Sequence, residues 1–202
     1  MRKLLVTAAL LILLGVFGAF AVTSPAAAKT LTYKGSGDKI IKIAKPSGKQ
    51  SEAVAVKISY SGSSNFIVYA LNKKLKKTEL LVNTIGKYKG TVPLDFQGQT
   101  VTYRLQIQAH GSWTVTIKPL SSVRHFTGKI AGHGDDVVLY KGGARVATIK
   151  HSGTSNFIVT AYNKDGADLL VNEIGKYKGQ SVLSQTSFLT ISADGAWSIV
   201  AK

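Results

Sequence analysis

The sequence predicts an all-β protein: two tandem antiparallel β-sandwich domains, jelly-roll-like, behind an N-terminal signal peptide. Three observations carry this expectation: an internal duplication, short β-branched and aromatic runs separated by turn signals, and an apolar leader. The stretch Ser61-Gly-Ser-Ser-Asn-Phe-Ile-Val68 returns as Ser152-Gly-Thr-Ser-Asn-Phe-Ile-Val159, and Leu80-Leu-Val-Asn-Thr-Ile-Gly-Lys-Tyr-Lys-Gly90 returns as Leu169-Leu-Val-Asn-Glu-Ile-Gly-Lys-Tyr-Lys-Gly179. A duplication provides an internal comparison, because it shows which positions two copies kept and which drifted.

The leader comes first in the chain. Arg2 and Lys3 form a basic start, Leu4 to Val22 is almost wholly apolar, and Pro25-Ala-Ala-Ala28 supplies small residues for cleavage. That order describes a secretory signal peptide over residues 1–28, with the mature chain expected to begin near Lys29. An uncleaved anchor is the alternative, since the apolar run approaches the roughly 20 residues that span a bilayer. The chain contains no cysteine, so neither a lipidated thiol nor a disulfide framework is available to a secreted protein of this sequence. Each unit must therefore be held by its own core, which is feasible for modules of about 85 to 90 residues.

Aligning the copies pairs Asp38 with Asp135, Asn65 with Asn156, Tyr88 with Tyr177 and Trp113 with Trp197. The offset falls from 97 to 91, 89 and then 84, so the first copy carries extra segments of six, two and five residues. They fall around Lys45–Gln50, Lys74–Lys77 and Phe96–Thr100, and their composition reads as surface loops. The expected units are residues 29–119 and 120–202, meeting near Pro119-Leu-Ser-Ser122.

Within each copy the runs are those of strands. Val54–Tyr60, Phe66–Leu71, Val101–Gln108 and Trp113–Ile117 are rich in β-branched and aromatic residues, and several alternate apolar with polar. Their counterparts are Val146–Ile149, Phe157–Tyr162, Phe188–Ser192 and Trp197–Val200. His110-Gly111 and Asp194-Gly195 separate the last two strands of each copy, as in a tight hairpin needing positive φ. About eight strands per copy with regularly spaced turns favour a sandwich of jelly-roll type.

The shared Phe66/Phe157, Trp113/Trp197 and Leu-Leu-Val runs read as core, and Gly86/Gly175 with Gly90/Gly179 as turn positions. Asn65, Asn83, Asn156 and Asn172, with Tyr88 and Tyr177 nearby, read either as turn-forming residues or as a polar ledge for a sugar or ion. The pattern Gly-x-Gly-Asp, Ser-Gly-x-Ser-Asn-Phe, Leu-Leu-Val-Asn-x-Ile-Gly-x-Tyr-x-Gly and Ala-Asp-Gly-Ala-Trp resembles an uncharacterised tandem repeat module of bacterial extracellular and cell-surface proteins. The resemblance covers nearly all of residues 29–202. It implies an extracellular repeat and supplies no catalytic residues; the first copy departs from it by its insertions and by Ala109-His-Gly-Ser-Trp113.

Charge separates the copies. Residues 29–119 hold fifteen Lys and Arg against four acids, a net of +11, and residues 120–202 hold nine against six, a net of +3. Lys73-Lys-Leu-Lys-Lys77 of the first copy stands where Lys164-Asp-Gly-Ala-Asp168 stands in the second. Lys73, Lys74, Lys76 and Lys77 are therefore the candidate residues for an anionic ligand: a wall polymer, an acidic polysaccharide or membrane headgroups. Loop lysines that merely protect a sheet edge are the bland reading. Export makes nucleic acid an unexpected physiological partner.

Neither a Gly-x-Ser-x-Gly elbow nor a cysteine nucleophile is present, and the four histidines lack zinc spacing, so no enzyme activity, cofactor or metal is expected. Calcium at Asp38 or Asp135 is a weak alternative. The expected function is a secreted noncatalytic binding or adhesion module associated with the cell envelope. The competing classes are a structural or protein-interaction module and a hydrolase.

Overall fold

A computed structural model describes residues 29–98 and 100–202; the leader assigned to residues 1–28 lies outside them. The first copy forms β1 (Leu31–Ser36), β2 (Lys39–Lys42), β3 (Val54–Tyr60), β4 (Asn65–Leu71), β5 (Lys77–Ile85), β6 (Tyr88–Leu94), β7 (Arg104–Gln108) and β8 (Ser112–Pro119). After a single 3-10 turn at Leu120–Ser122 come β9 (Arg124–Phe126), β10 (Lys129–His133), β11 (Asp136–Tyr140), β12 (Arg145–His151), β13 (Asn156–Asn163), β14 (Gly166–Ile174), β15 (Tyr177–Leu183), β16 (Ser187–Ser192) and β17 (Ala196–Ala201).

The strand orders are β1-β8-β3-β6 and β2-β7-β4-β5 in the first copy, then β10-β17-β12-β15 and β14-β13-β16-β11-β9 in the second. Numbered within a copy, both give sheets 1-8-3-6 and 2-7-4-5. The chain alternates between two antiparallel sheets, which is the jelly-roll path. β9 is an addition: it pairs in parallel with β11 and covers an edge that the first copy leaves open at β2.

Alternation along the strands creates the cores. Val56, Ile58, Phe66, Val68, Ile107, Trp113 and Val115 point between the sheets of the first copy, and Ile149, Phe157, Val159, Ile191, Trp197 and Ile199 do so in the second. Tyr60 stacks on Phe66 at 4.3 Å, and His151 occupies the same place against Phe157 at 4.3 Å. Each indole donates from Nε1 to a turn carbonyl, Trp113 to Gly37 at 3.0 Å and Trp197 to Gly134 at 2.9 Å. The indoles lie over Gly35 and Gly132, directly across the ladder, where a Cβ would collide with the ring.

The register fixes two ends for each sandwich. Ser36 pairs with Ser112, Tyr60 with both Trp113 and Tyr88, and Asn65 with Ile85, so the β1–β2, β3–β4, β5–β6 and β7–β8 connections share one end. The three segments by which the first copy is longer all lie at the other end.

Several local expectations change. Gly111 and Gly195 are not in the left-handed region; a Cβ at Gly195 would stand 2.5 Å from the Gly153 nitrogen, and one at Gly111 2.9 Å from the Gly62 Cα. Close backbone approach, not positive φ, requires these glycines. Gly86 and Gly175 do take φ of 84°, whereas Gly90 and Gly179 lie inside β6 and β15, where a Cβ would meet the hydroxyl of Tyr88 or Tyr177. The first leucine of each Leu-Leu-Val run, Leu80 and Leu169, is exposed instead of core.

Candidate binding surfaces

The lysine-bearing hairpin joins β4 to β5. Asn72 organises it: its Oδ1 accepts from the backbone N–H of Lys74 at 2.9 Å and of Lys76 at 3.0 Å, and its own N–H bonds the Lys76 carbonyl. Leu75 takes φ of 63°, the strained corner that this tether holds. Lys73, Lys74, Lys76 and Lys77 are all exposed, and Lys77 lies over the Tyr69 ring at 3.8 Å. Three Lys or Arg to Asp ion pairs and a His151–Asp194 contact occur among the described residues, and none uses these lysines. The counterpart hairpin differs: Lys164 binds Asp165 at 2.7 Å, and that pairing, with a bond from Gln185, holds the Asp165 carboxyl below its usual range.

The inserted segments flanking this hairpin are not simply surface loops. Lys45 is buried, donating to Asp95 at 2.8 Å and to the Glu52 carbonyl at 2.6 Å. Asp95, also buried, accepts from the Thr102 hydroxyl at 2.7 Å and the Thr102 N–H at 3.0 Å. The first and third insertions are thereby tied together, and Lys45 adds nothing to the exposed positive charge. Nearby Glu79 is pushed up to about 7 by desolvation and then by Asp95, against the pull of Lys45, although much of its side chain meets solvent.

A second surface lies between the sandwiches. β6 packs against β11 and β16, and Tyr88 donates to Asp135 Oδ2 at 2.6 Å while the Thr91 N–H bonds the Asp135 carbonyl at 2.9 Å. Burial, then the Asp135 charge and the hydrogen bond to it, hold the Tyr88 hydroxyl far above its ordinary range. It is thus a fixed donor within the protein. At the far end of this contact Phe96, from the third insertion, meets Tyr162 edge-on at 5.4 Å and Phe188 at 6.1 Å.

At the Tyr88–Asp135 end of the contact opens a cleft of about 460 Å³. Asn83, Tyr88 and Asn156 line it with Lys87, Lys89 and Asp194, so half of the polar ledge read from sequence is gathered there. Asn65, Asn172 and Tyr177 are elsewhere; Tyr177 instead packs on Phe157 at 5.9 Å. Asp194 accepts from Thr154 N–H at 2.9 Å and Ser155 N–H at 3.0 Å, and these bonds, Thr154 first, depress its pKa.

The two shared aspartates serve the backbone: Asp38 accepts from the Ala109 N–H at 2.8 Å and Asp135 from the Ala193 N–H at 2.9 Å. With Tyr88 on its other oxygen, Asp135 has both carboxylate atoms committed to protein donors. Among the described residues no group of three or more His, Cys, Asp and Glu gathers in metal-binding proximity. No helix among them is long and apolar enough to cross a membrane.

What the sequence reading missed is the composite character of this region. Tyr88 and Asp135 lie 47 residues apart, and no local pattern joins them. No family model and no curated protein matches the sequence. Among solved structures the chain is similar to the regulatory subunit of a cAMP-independent protein kinase A from Trypanosoma cruzi bound to guanosine, at TM-score 0.25 and 8% identity over 85% of this chain and 72% of that one. A likeness at that score bears on neither fold nor function.

Proposed function

We propose that the protein is a secreted, noncatalytic binding module that associates with an anionic cell-envelope surface, mainly through Lys73, Lys74, Lys76 and Lys77 of the first sandwich. One observation carries this reading: the lysines are exposed and without ion-pair partners on a tethered hairpin, whereas the equivalent hairpin of the second sandwich neutralises its lysine with Asp165. Like charges held close on a rigid turn repel one another, and a polyanion relieves that repulsion while releasing its own counterions. The partner class is an anionic wall polymer or acidic polysaccharide, whose repeating charges match a cluster of point cations better than a single site would.

The test is cosedimentation of the exported protein with anionic wall material at two ionic strengths. Binding is expected at low salt and release as the screening length shortens from about 30 Å at 0.01 M to about 8 Å at 0.15 M. Replacing the four lysines by Gln should weaken binding several-fold, while Lys164→Gln should not. Salt-independent binding, or equal binding by the four-lysine variant, would show that this hairpin is not the contact.

A further inference from the structure

We infer that the β5–β6 and β14–β15 hairpin tips form a second binding surface, one that docks onto an anionic lipid bilayer. The carrying observation is an exposed isoleucine kept in both copies. Ile85 and Ile174 close the strands before the tips, and each is 77% exposed.

Within Ile-Gly-Lys-Tyr-Lys-Gly, identical in the two copies, the fold accounts for some residues and not others. Gly86 and Gly175 supply the left-handed corner, Tyr88 and Tyr177 pack on the core phenylalanines, and Gly90 and Gly179 leave room for those tyrosines. The isoleucine and the two lysines of each motif, Lys87 and Lys89 or Lys176 and Lys178, are exposed and do none of this work. Neighbouring positions drifted, half-buried Thr84 becoming Glu173 and half-buried Thr91 becoming Gln180, while exposed Asn83 is kept as Asn172.

A protruding aliphatic side chain two residues before a Lys-Tyr-Lys tip suits a bilayer interface. The lysines meet headgroup phosphates while the isoleucine enters the acyl boundary. A polysaccharide offers no apolar interior in which Ile85 or Ile174 would gain by burial. Asp38, Asp135 and Asp194 also lie at this end of the sandwiches, bonded to backbone N–H groups that orient a carboxylate without neutralising it, whereas the four tip lysines stand exposed on the hairpins and enter none of the ion pairs among the described residues. Glu173 offsets one cation on the second tip. Both tips border the same region, since Lys87 lines the cleft from one side and Asn156, the ladder partner of Ile174, from the other. This surface is independent of the lysine hairpin, which lies at the opposite end of β5.

The experiment is vesicle cosedimentation of the exported protein with phosphatidylcholine alone and with phosphatidylcholine containing phosphatidylglycerol. Binding is expected only to the mixed vesicles. Ile85→Ser or Ile174→Ser should weaken it by about tenfold each, the change expected from losing one partly inserted aliphatic side chain. Both positions are solvent-exposed, and an unchanged melting temperature would confirm that the variants fold. Absence of vesicle binding, or equal binding by the double Ile variant, overturns the inference. Envelope binding that depends on the isoleucines without vesicle binding overturns it in favour of a protein partner. If instead the four-lysine variant alone loses vesicle binding, the lysine hairpin is the lipid contact and the tips are not. Loss of wall binding by that variant, with vesicle binding intact, supports both surfaces separately.

Discussion

Lys45 shows why a count of basic residues overstates the charge available to a ligand. Both it and Asp95 are buried, and Asp95 adopts φ of 60°, a strained backbone held by Lys45 above and Thr102 beside it. The second copy has Ser184 where Asp95 stands and nothing equivalent to Lys45 within its short β11–β12 connection, so the network arrived with, or permitted, the insertions. Replacing both charges by apolar residues could be tolerated, but removing one strands the other. Lys45→Met should therefore lower unfolding stability by about 3–5 kcal/mol, read from urea denaturation. A loss under about 1 kcal/mol, the size of an exposed pair, would show that Asp95 is solvated despite its burial. By contrast, each lysine of the 73–77 cluster should be nearly neutral for stability and matter only for binding.

At the level of elements, the hairpin glycines replace one physical explanation with another. A tight β-turn would need positive φ, yet Gly111 and Gly195 are required because the β3–β4 or β12–β13 connection passes against them. Gly195→Ala places its methyl against backbone that has no side-chain rotamer to yield, so a cost of about 1–3 kcal/mol is expected. Gly128→Ala is the control, since its Cβ meets nothing within 4 Å; its change should stay within about 0.5 kcal/mol. Thermal denaturation of both variants decides the point. The same contrast explains what could be read from sequence. Strands such as β8 and β13 were legible because buried positions alternate with more exposed ones along them. β6 was not, because Gly90 and Pro93 resemble turn residues; Pro93 is tolerated since β6 is the edge of its sheet. β9 was hidden for another reason, its parallel pairing being three residues long and set by tertiary placement. At the candidate surfaces the lysine hairpin was visible as composition. The cleft was not, because docking of one copy on the other has no periodic signature.

The whole molecule depends on that docking, and the two copies measure its extent. Ile40 and Val137 are equivalent outward-facing positions, yet Ile40 is 57% exposed while Val137, on the strand that meets β6, is 1% exposed. The contact is latched at both ends, by Tyr88 on Asp135 where the tips lie and by Phe96 between Tyr162 and Phe188 where the insertions lie. Two latches a strand-length apart resist rotation of one sandwich on the other better than either alone. Held this way, two weak tips can meet one surface together, and the second contact becomes effectively intramolecular. Phe96→Ala removes two aromatic pairs worth about 1–3 kcal/mol together and leaves each core intact. The expected result in calorimetry is that a single cooperative transition broadens or splits, with the melting of the second sandwich separating from that of the first. Vesicle binding should weaken in the same variant although no tip residue has changed, because the tips lose their fixed spacing. An unaltered transition would mean that Tyr88 and the β6 contact suffice to couple the copies; the Tyr88→Phe, Phe96→Ala pair would then be the variant in which the two sandwiches melt apart.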